Sequence, residues 1–314
     1  TGYSRGTINS GCVRNRGYEL EITATPVLTR DFRWNTTLTW SKNDNKILSL
    51  AEGADENQVI STVGTASIIG RVGGTTGDLW GYKLVRDPEG NVIIGDNGLP
   101  EQADEIEYVG TAYADWKAGW YNEFSYKGFK LGILLDGQVG GTIYSMSFHK
   151  MMEQGKLTQS LNGRLPGTEY YMDANDPRIA AAGYTPQSGM YMIAPGVVRN
   201  DDGTFSPNTK VVTIESFYKE YYRRANVETN SFDASFLKIR EIRLEYELPK
   251  KVLEKSPFSK ASIAVYGRNL WCFTDYPLFD PESVALDGSS MVSGIETGSL
   301  PTTRTFGFNL NLTF

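Results

Sequence analysis

The side chains that most often carry out acid–base or metal chemistry are scarce in this sequence. His149 is the single histidine, and Cys12 and Cys272 are the two cysteines, with no C-x-x-C spacing between them. A histidine-based triad or a multi-histidine metal site is therefore excluded within the chain, and His149 is predicted to be a surface or lumen residue. No nucleophile elbow, P-loop or dinucleotide-binding motif occurs in a usable context. The sequence predicts neither enzyme activity nor a cofactor or metal.

Charged residues that alternate with apolar ones are more informative about function. Side chains at i and i+2 of a strand share a face, so each of these charges lies opposite an apolar stripe. On the lipid side of a membrane-spanning strand a charge costs about 2 to 4 kcal/mol near the midplane, which would assign these charges to a lumen. There they either line a hydrated interior or contact a substrate directly. The residues concerned are Glu123, Asp136, Arg243, Glu245 and Arg268.

Tyrosines cluster in two stretches outside the alternating segments. Flat aromatic faces beside polar groups suit sugar rings, and tyrosine combined with arginine also suits peptide or protein interfaces. We therefore expect these clusters to contact a cargo molecule or a partner protein. Their members are Tyr170, Tyr171, Tyr218, Tyr221, Tyr222 and Arg223.

Seven segments have the period-2 alternation of β-strands, which predicts an all-β chain. Residues 26–31 and the pair Lys127-Gly128 are predicted to form hairpin turns, and a change of phase near Arg240 predicts a bulge. Residues 85–94 are a candidate for a further small hairpin. The seven segments are 18–24, 32–40, 116–126, 129–135, 236–248, 263–273 and 306–314.

The connections between these segments are unequal in length. Residues 42–114, 146–232 and 274–302 form long connections that all fall at one end of the sheet, and short turns occupy the other end. This asymmetry is typical of a transmembrane antiparallel β-barrel with long extracellular loops. Aromatic residues at the strand ends predict two interfacial girdles, with Trp40, Trp116, Trp120 and Trp271 at the long-loop end and Tyr126, Tyr246 and Phe314 at the other.

A soluble β-sandwich that binds glycans or serves as a structural module is the alternative from another class, because its strands also alternate. It does not explain the one-sided connections, the two aromatic ends or the terminal phenylalanine. The last strand, which ends on that phenylalanine, is predicted to act as a signal for barrel assembly into the lipid bilayer. The residues of this signal are Phe306, Phe308, Leu310, Leu312 and Phe314.

Composition and strand number bound the remaining possibilities. The net charge of −6 and the isoelectric point near 5.1 provide no basic surface for nucleic acid. The chain begins at Thr1 without a methionine or a signal-like segment, which predicts a mature or truncated product. Single-chain outer-membrane barrels have even strand numbers, so seven strands predict part of a larger barrel.

Five separate stretches of the chain together resemble the C-terminal barrel region of the SusC/RagA family of TonB-dependent outer-membrane transporters. Each is weakly specific alone, but they occur in the family's order over nearly the whole chain. They are residues 9–21 (NSGCVRNRGYELE), 119–129 with 140–145 (GWYNEFSYKGF, GGTIYS), 235–249 (SFLKIREIRLEYELP), 266–270 with 275–276 and 280–282 (YGRNL, DY, DPE), and 300–307 with Phe314 (LPTTRTFG).

The resemblance implies that residues 1–314 are the C-terminal part of a barrel of about 22 strands, located in a bacterial outer membrane. The plug, the TonB-contacting segment and the N-terminal β-domain of the family have no counterpart in this sequence. The implied function is TonB-dependent import of oligosaccharides or oligopeptides with a SusD-like lipoprotein on the outer face, TonB contacted through the missing N-terminal part, and insertion by the barrel-assembly machinery. A TonB-dependent receptor for a metal chelate or vitamin remains the alternative in the same class.

Overall fold

The architecture is built on one antiparallel sheet of seven strands, arranged as a meander in which each strand pairs with the next along the chain. A computed structural model describes residues 11–287 and 290–314. Asn9 and Ser10, the first residues of one stretch that carries the resemblance, lie outside the described residues. The strands are β1 (Gly11–Leu28), β2 (Phe32–Leu50), β3 (Trp116–Tyr126), β4 (Phe129–Val139), β5 (Phe236–Glu247), β6 (Lys260–Phe273) and β7 (Thr305–Thr313).

All seven predicted strands are present, but β1 and β2 extend further than their alternation indicated. Beyond the apolar part, polar side chains on both strands contact one another: Asn45 donates from Nδ2 to Asn15 Oδ1 at 2.9 Å, and Arg14 pairs with Asp44 at 3.4 Å. Such a polar ribbon has no apolar face, so period-2 analysis cannot detect it. The first long connection therefore begins after residue 50 rather than at 42, and Trp40 lies inside β2 instead of at its end.

Two of the short turns between strands can be explained by the conformational preferences of their residues. Lys127 and Gly128 both have positive φ values, 45° and 88°, as a two-residue hairpin turn requires, and the predicted turn is confirmed. The first turn is tighter than predicted, because Pro26 lies within β1 at a shift of register between Ala24 and Val27. Proline has no N–H to donate to the sheet and is tolerated at such a bulge.

The bulge predicted near Arg240 is confirmed, since the pairing of β5 with both of its neighbours skips one residue between Ile239 and Glu241. The apolar residues of β5 before and after the bulge therefore stay on one face of the sheet.

The third short turn, between β5 and β6, contains the short helix Lys250–Leu253.

The long connections fold into strands and helices of their own. The candidate hairpin at residues 85–94 is confirmed as a short one: Arg86 and Val92 form an antiparallel bridge, flanked by hydrogen bonds from the Asp87 N–H to the Asn91 carbonyl and from the Ile93 N–H to the Val85 carbonyl, each at 2.9 Å. The helices are α1 (Met146–Glu153), α2 (Pro177–Ala181), α3 (Ile214–Tyr221) and α4 (Lys250–Leu253), with 3-10 turns at Thr158–Leu161 and Glu228–Asn230. The additional strands are Gln58–Val63, Ala66–Gly70, Asp78–Gly81, Glu107–Thr111, Thr142–Ser145, Tyr191–Ile193, Val197–Arg199, Phe205–Pro207, Val211–Thr213, Ser231–Asp233, Ala285–Asp287, Ser290–Val292 and Ile295–Glu296.

The main buried cores of the chain lie in these connections and not on the seven-stranded sheet. One cluster packs α1 against α3 around Phe148, Met152 and Phe217. A second cluster takes residues from all three long connections: Leu79 from the first, Tyr144 from the second and Ile295 from the third. The connections thus form one packed outer module at the end of the sheet, and the term outer module is used for residues 51–115, 140–235 and 274–304.

The apolar side of the sheet is exposed, with Ile22 at 48%, Val265 at 54% and Phe308 at 76% of full accessibility. Within the described residues no second sheet packs against this side, as the alternative of a soluble β-sandwich would require. The eleven residues of β3 extend roughly 33 Å, which at the usual tilt corresponds to an apolar band about 25 Å tall. The helices of the described part are all too short or too polar to cross a membrane.

Candidate functional site

The five charged residues predicted from alternation lie on one side of the sheet, which is called the polar face. Glu123 of β3 is opposite Gly132 of β4, which is in turn opposite Arg243 of β5. The same register places Asp136, Glu245 and Arg268 on this side. The sheet therefore brings together residues that are up to 145 positions apart in the sequence, and their lumen-facing role stays a prediction.

Ion pairs within and between strands neutralise most of these charges. Arg243 and Glu245 form an ion pair at 2.7 Å, and Arg268 pairs across the strands with Glu241 at 2.6 Å. Glu123 instead accepts hydrogen bonds from Asn35 Nδ2 at 3.3 Å and the Tyr121 hydroxyl at 3.4 Å. The polar face thus carries paired charges and hydroxyl groups, which suits a hydrated wall.

A buried ionic network joins the sheet to the third long connection. Lys238 of β5 is 3% exposed and contacts both Asp280, at 2.6 Å, and Glu282. Arg240, at the bulge, reaches Asp136 through Nε at 2.7 Å and Glu282 at 2.7 Å. The bulge matters because it aims the Arg240 side chain at the connection. Four of these five residues were not predicted as site residues.

Asp280 is the centre of this network. Its carboxylate also accepts hydrogen bonds from Thr302 Oγ1 at 2.6 Å and from the Glu282 N–H at 3.0 Å. Burial alone would raise the pKa of Asp280, but the hydrogen bonds from Lys238 and Thr302 outweigh burial and hold that pKa below its ordinary value. The carboxylate is therefore ionised and anchors the connection at neutral pH. The sequence contained one indication of this contact: both partners lie in stretches that carry the resemblance, Lys238 in KIR and Asp280 in DPE.

The opposite side of the sheet, called the apolar face, contains one polar cluster. Asn122 interrupts the apolar stripe of β3, yet it is 5% exposed, because Trp34 and Trp120 cover it. Its Oδ1 accepts hydrogen bonds from Trp34 Nε1 and from Thr36 Oγ1, each at 3.0 Å, and Trp120 Nε1 donates to Thr36 at 2.9 Å. The Trp34 indole and the Thr36 hydroxyl thus satisfy the Asn122 amide oxygen, which an apolar surface could not.

Aromatic residues border the apolar face at both ends. Trp120 and Trp271 lie on one row of the register through Leu135 and Ile239, and they are 45% and 57% exposed. At the short-turn end, Phe129 contacts Tyr246 with ring centroids 4.4 Å apart. This placement agrees with the two ends that the sequence indicated.

The tyrosines predicted to contact cargo or partner are largely packed against one another in the outer module. Tyr218 is 4% exposed and stacks on Tyr222 with ring centroids 5.8 Å apart. Tyr221 stacks on Phe217 at 5.2 Å, and Tyr170 packs against the same cluster. Burial raises the pKa of Tyr218, Tyr221 and Tyr222. These rings form the core that supports the surface, and Tyr218 presents almost no face to a ligand.

The other two members of the predicted set lie nearer the surface. Tyr171 is half-buried, and Arg223 forms an ion pair with Glu220 at 2.7 Å. The predicted contact role of the whole set stays a prediction.

The expectation for His149 is wrong. This residue of α1 is 1% exposed, and its Nδ1 lies 2.6 Å from the Tyr222 carbonyl oxygen. Because a carbonyl can only accept, Nδ1 carries the proton, and burial lowers the pKa of the ring. His149 therefore links α1 to the end of α3 as a neutral core residue.

A buried carboxylate fixes the tip of the third connection. Glu296 is 1% exposed and accepts hydrogen bonds from the hydroxyls of Ser145 and Ser147, each at 2.7 Å, and from the Ser299 N–H at 3.0 Å. Ser145 is also the N-cap of α1. The connection is thus attached at Asp280 near the sheet and at Glu296 near its tip.

The predicted assembly signal lies on β7, at an edge of the sheet. Phe306, Phe308, Leu310 and Leu312 point to the apolar face, and all four are more than two-fifths exposed. Phe314 is 83% exposed and contacts Phe258 with ring centroids 5.1 Å apart. Recognition by an assembly machinery stays a prediction.

The described residues can bind and position a molecule through ion pairs, hydroxyls and aromatic edges. No group of three histidine, cysteine, aspartate or glutamate side chains among them is placed to hold a metal ion.

No family model matches the chain. Curated relatives are the TonB-dependent receptors P3 and P26 of Formosa agariphila, which are 26% identical over 342 residues and 24% identical over 340 residues. Each alignment covers the whole chain and 30% of the relative, so the chain spans under a third of the length of these proteins. The TonB-dependent receptor SusC of Bacteroides thetaiotaomicron is 26% identical over 151 residues, which is 44% of this chain and 15% of SusC.

Two solved structures of the RagAB peptide importer and transporter share the fold. The closed-closed state of the importer superposes with a TM-score of 0.61 at 16% identity and covers 98% of this chain and 30% of that one. The transporter structure gives a TM-score of 0.59 with the same identity and the same coverage. The seven-stranded sheet and its outer module are therefore a segment of a large β-barrel.

Proposed function

Because this chain is an outer-membrane β-barrel segment related to the TonB-dependent receptors of the SusC/RagA type, we propose that it is the C-terminal barrel part of a TonB-dependent importer. The imported cargo is an oligosaccharide or an oligopeptide, and the barrel works as the SusC-like channel of a complex with a SusD-like lipoprotein. Coupling to TonB runs through N-terminal parts of the protein. The chain performs no covalent chemistry.

The observation that carries this proposal is the division of one sheet into an exposed apolar face and a charged polar face. An apolar face that is half to three-quarters exposed, as at Ile22, Val265 and Phe308, has a free-energy cost in water and a favourable environment in lipid. The polar face then lines the lumen, where Glu123, Asp136, Arg243, Glu245 and Arg268 meet water, a plug or cargo.

The outer module supports the same orientation. It lies at the end of the sheet that carries all three long connections, and long connections face the outside in barrels of this class. The module has its own buried core, so it presents a formed surface to a lipoprotein partner. The short turns at 29–31 and at Lys127 and Gly128 face the periplasm.

The proposal is tested by uptake. Cells that carry the gene for this chain should accumulate fluorescent oligosaccharides or oligopeptides, and deleting either the gene or TonB should abolish the accumulation equally. Uptake that persists without TonB would refute the energy coupling.

Co-purification distinguishes the proposal from a receptor for a metal chelate or a vitamin. A lipoprotein that stays bound through detergent extraction is expected of the SusC-like channel. Extraction of a lone receptor together with TonB-dependent uptake of a chelate would instead favour the second function.

A further inference from the structure

The outer module contains a cleft of about 630 Å³ between the end of α1 and the first turns of α3. This volume is in the range of small-molecule sites. Its charged lining residues are Lys150, Glu153, Arg164, Glu215 and Lys219, and Met190 contributes an apolar patch. None of the residues that line it is aromatic, so stacking on a neutral sugar ring is not available there.

Four of the five charges already compensate one another. Lys150 Nζ lies 3.0 Å from Glu153 Oε2, and Lys219 Nζ lies 2.5 Å from Glu215 Oε1. Both pairs connect residues one helical turn apart, so each pair forms within its own helix. The two lysines therefore add little net charge to the cleft.

Arg164 is the exception. Its Nε donates to the Ser160 carbonyl at 3.1 Å, and its guanidinium lies over the Tyr218 ring at 5.9 Å. Among the described residues no carboxylate forms an ion pair with its two terminal nitrogens, although the Arg164 charge adds to the hydrogen bond from Lys219 in lowering the pKa of the Glu215 carboxyl in the same cleft. An arginine fork whose Nε is already hydrogen-bonded and whose terminal nitrogens have no carboxylate partner can donate two parallel hydrogen bonds to one anion.

The backbone around Arg164 is also fixed. Gly189 has a φ of +68°, and a Cβ atom there would lie 2.4 Å from the Arg164 carbonyl oxygen. The Arg164 N–H donates to Leu161 at 2.9 Å. The Nε hydrogen bond and the buried Tyr218 ring thus hold the guanidinium, and the close approach of Gly189 fixes the main chain that carries it. Little conformational entropy is therefore lost on binding.

We propose that this cleft, the Arg164 cleft, binds a carboxylate group of the imported cargo. The terminal N–H groups of Arg164 donate to the two carboxylate oxygens, and Met190, which is 40% exposed, contacts the carbon skeleton beside them. The inference rests on the proposed function, because the cargo meets the outer module first. A uronate sugar and the C-terminus of a peptide present the same carboxylate chemistry.

Binding to the detergent-purified native protein tests this assignment with two pairs of probes. One pair is trigalacturonate and its methyl ester, and the other is triglycine and its C-terminal amide. At least one free carboxylate should bind about tenfold or more tightly than its neutral partner, and Arg164→Gln should remove that difference. Arg164→Lys should retain only part of it, because a point charge replaces the fork. The pair that shows the difference identifies the source of the carboxylate.

Arg71→Gln is the matched control, since Arg71 pairs with Glu56 on the first connection and is absent from the cleft. It should bind all probes as the unaltered protein does. Equal binding of the acid and neutral forms, or an unchanged preference in Arg164→Gln and Arg164→Lys, would overturn the assignment. Normal TonB-dependent uptake without any carboxylate preference would overturn it as well while the importer function stands.

Discussion

Replacing Lys238 with methionine should loosen the third long connection. The ammonium of Lys238 lies 2.6 Å from Asp280, and both side chains are only 4% exposed. Methionine has nearly the same length, so it fills the space and leaves the Asp280 carboxylate buried without its cation. The perturbation therefore isolates charge from packing.

The magnitude follows from this burial. Removing one partner of a buried ion pair costs about 3 to 5 kcal/mol. The lower end applies, because Asp280 retains hydrogen bonds from Thr302 and from the Glu282 N–H. A cost of about 3 kcal/mol corresponds to local opening that is on the order of a hundredfold more frequent.

Hydrogen exchange of the detergent-purified protein measures this opening. Amides of residues 276–302 should exchange on the order of a hundredfold faster in Lys238→Met, while those of β3 and β4 stay unchanged. Arg268→Met is the control: its pair with Glu241 is 59% exposed on the arginine side, so the effect should stay below about 1 kcal/mol. An equal effect of both variants, or no change in residues 276–302, would refute the reasoning.

The pH dependence of the stability difference between Lys238→Met and the unaltered protein is an independent test. In the unaltered protein the pKa of Asp280 is depressed, so its stabilising contribution is present above its ordinary pKa and is lost as the pH falls through the depressed value. Without Lys238, burial raises the pKa of Asp280 instead. Acidification from neutral pH to about pH 5 should therefore narrow the difference between Lys238→Met and the unaltered protein.

Three further changes probe other contacts of the chain. Asn122→Leu should destabilise the barrel by about 1 to 3 kcal/mol in denaturant unfolding, because it leaves hydrogen-bond donors on the apolar face unpaired. Thr39→Val should have a smaller effect, because the exposed Thr39 hydroxyl on the polar face makes one hydrogen bond, to the Gly119 carbonyl at 3.3 Å. Glu296→Gln should increase proteolysis around residues 294–299, since the amide provides only one of the two acceptor oxygens that now bind serine hydroxyls and backbone N–H groups; unchanged cleavage would contradict the role of the Glu296 carboxylate in attaching the third connection. Deleting Phe314 should lower the amount of protein in the outer membrane, and Phe258→Ala, which removes its ring contact, should not; normal membrane levels after the deletion would count against an assembly signal.

The strands could be predicted from the sequence because their two faces meet different environments. Alternation at β3, β5 and β7 records an apolar and a polar side directly, and even the bulge at Arg240 is visible as a change of phase. The polar extensions of β1 and β2 have no such contrast. They are strands only because their side chains pair with one another, and pairing over 30 residues leaves no periodic signal.

The site was less accessible to sequence reasoning for a related reason. The charges on the polar face follow from alternation, but the contact of Lys238 with Asp280 joins residues 42 positions apart through a connection without regular period. Tyr218 and His149 are of residue types that often lie at the surface, but the packing of α1 against α3 buries both of them. Tertiary packing decided both cases.

The shared core of the outer module has a consequence for the order in which the chain folds. Leu79, Tyr144 and Ile295 come from three connections separated by long stretches of strand, so this core cannot exist until all three have reached the same side of the membrane. Contacts of such long sequence separation form late. This shared core should therefore form last, and its apolar residues stay unburied for as long as the strands are still being placed.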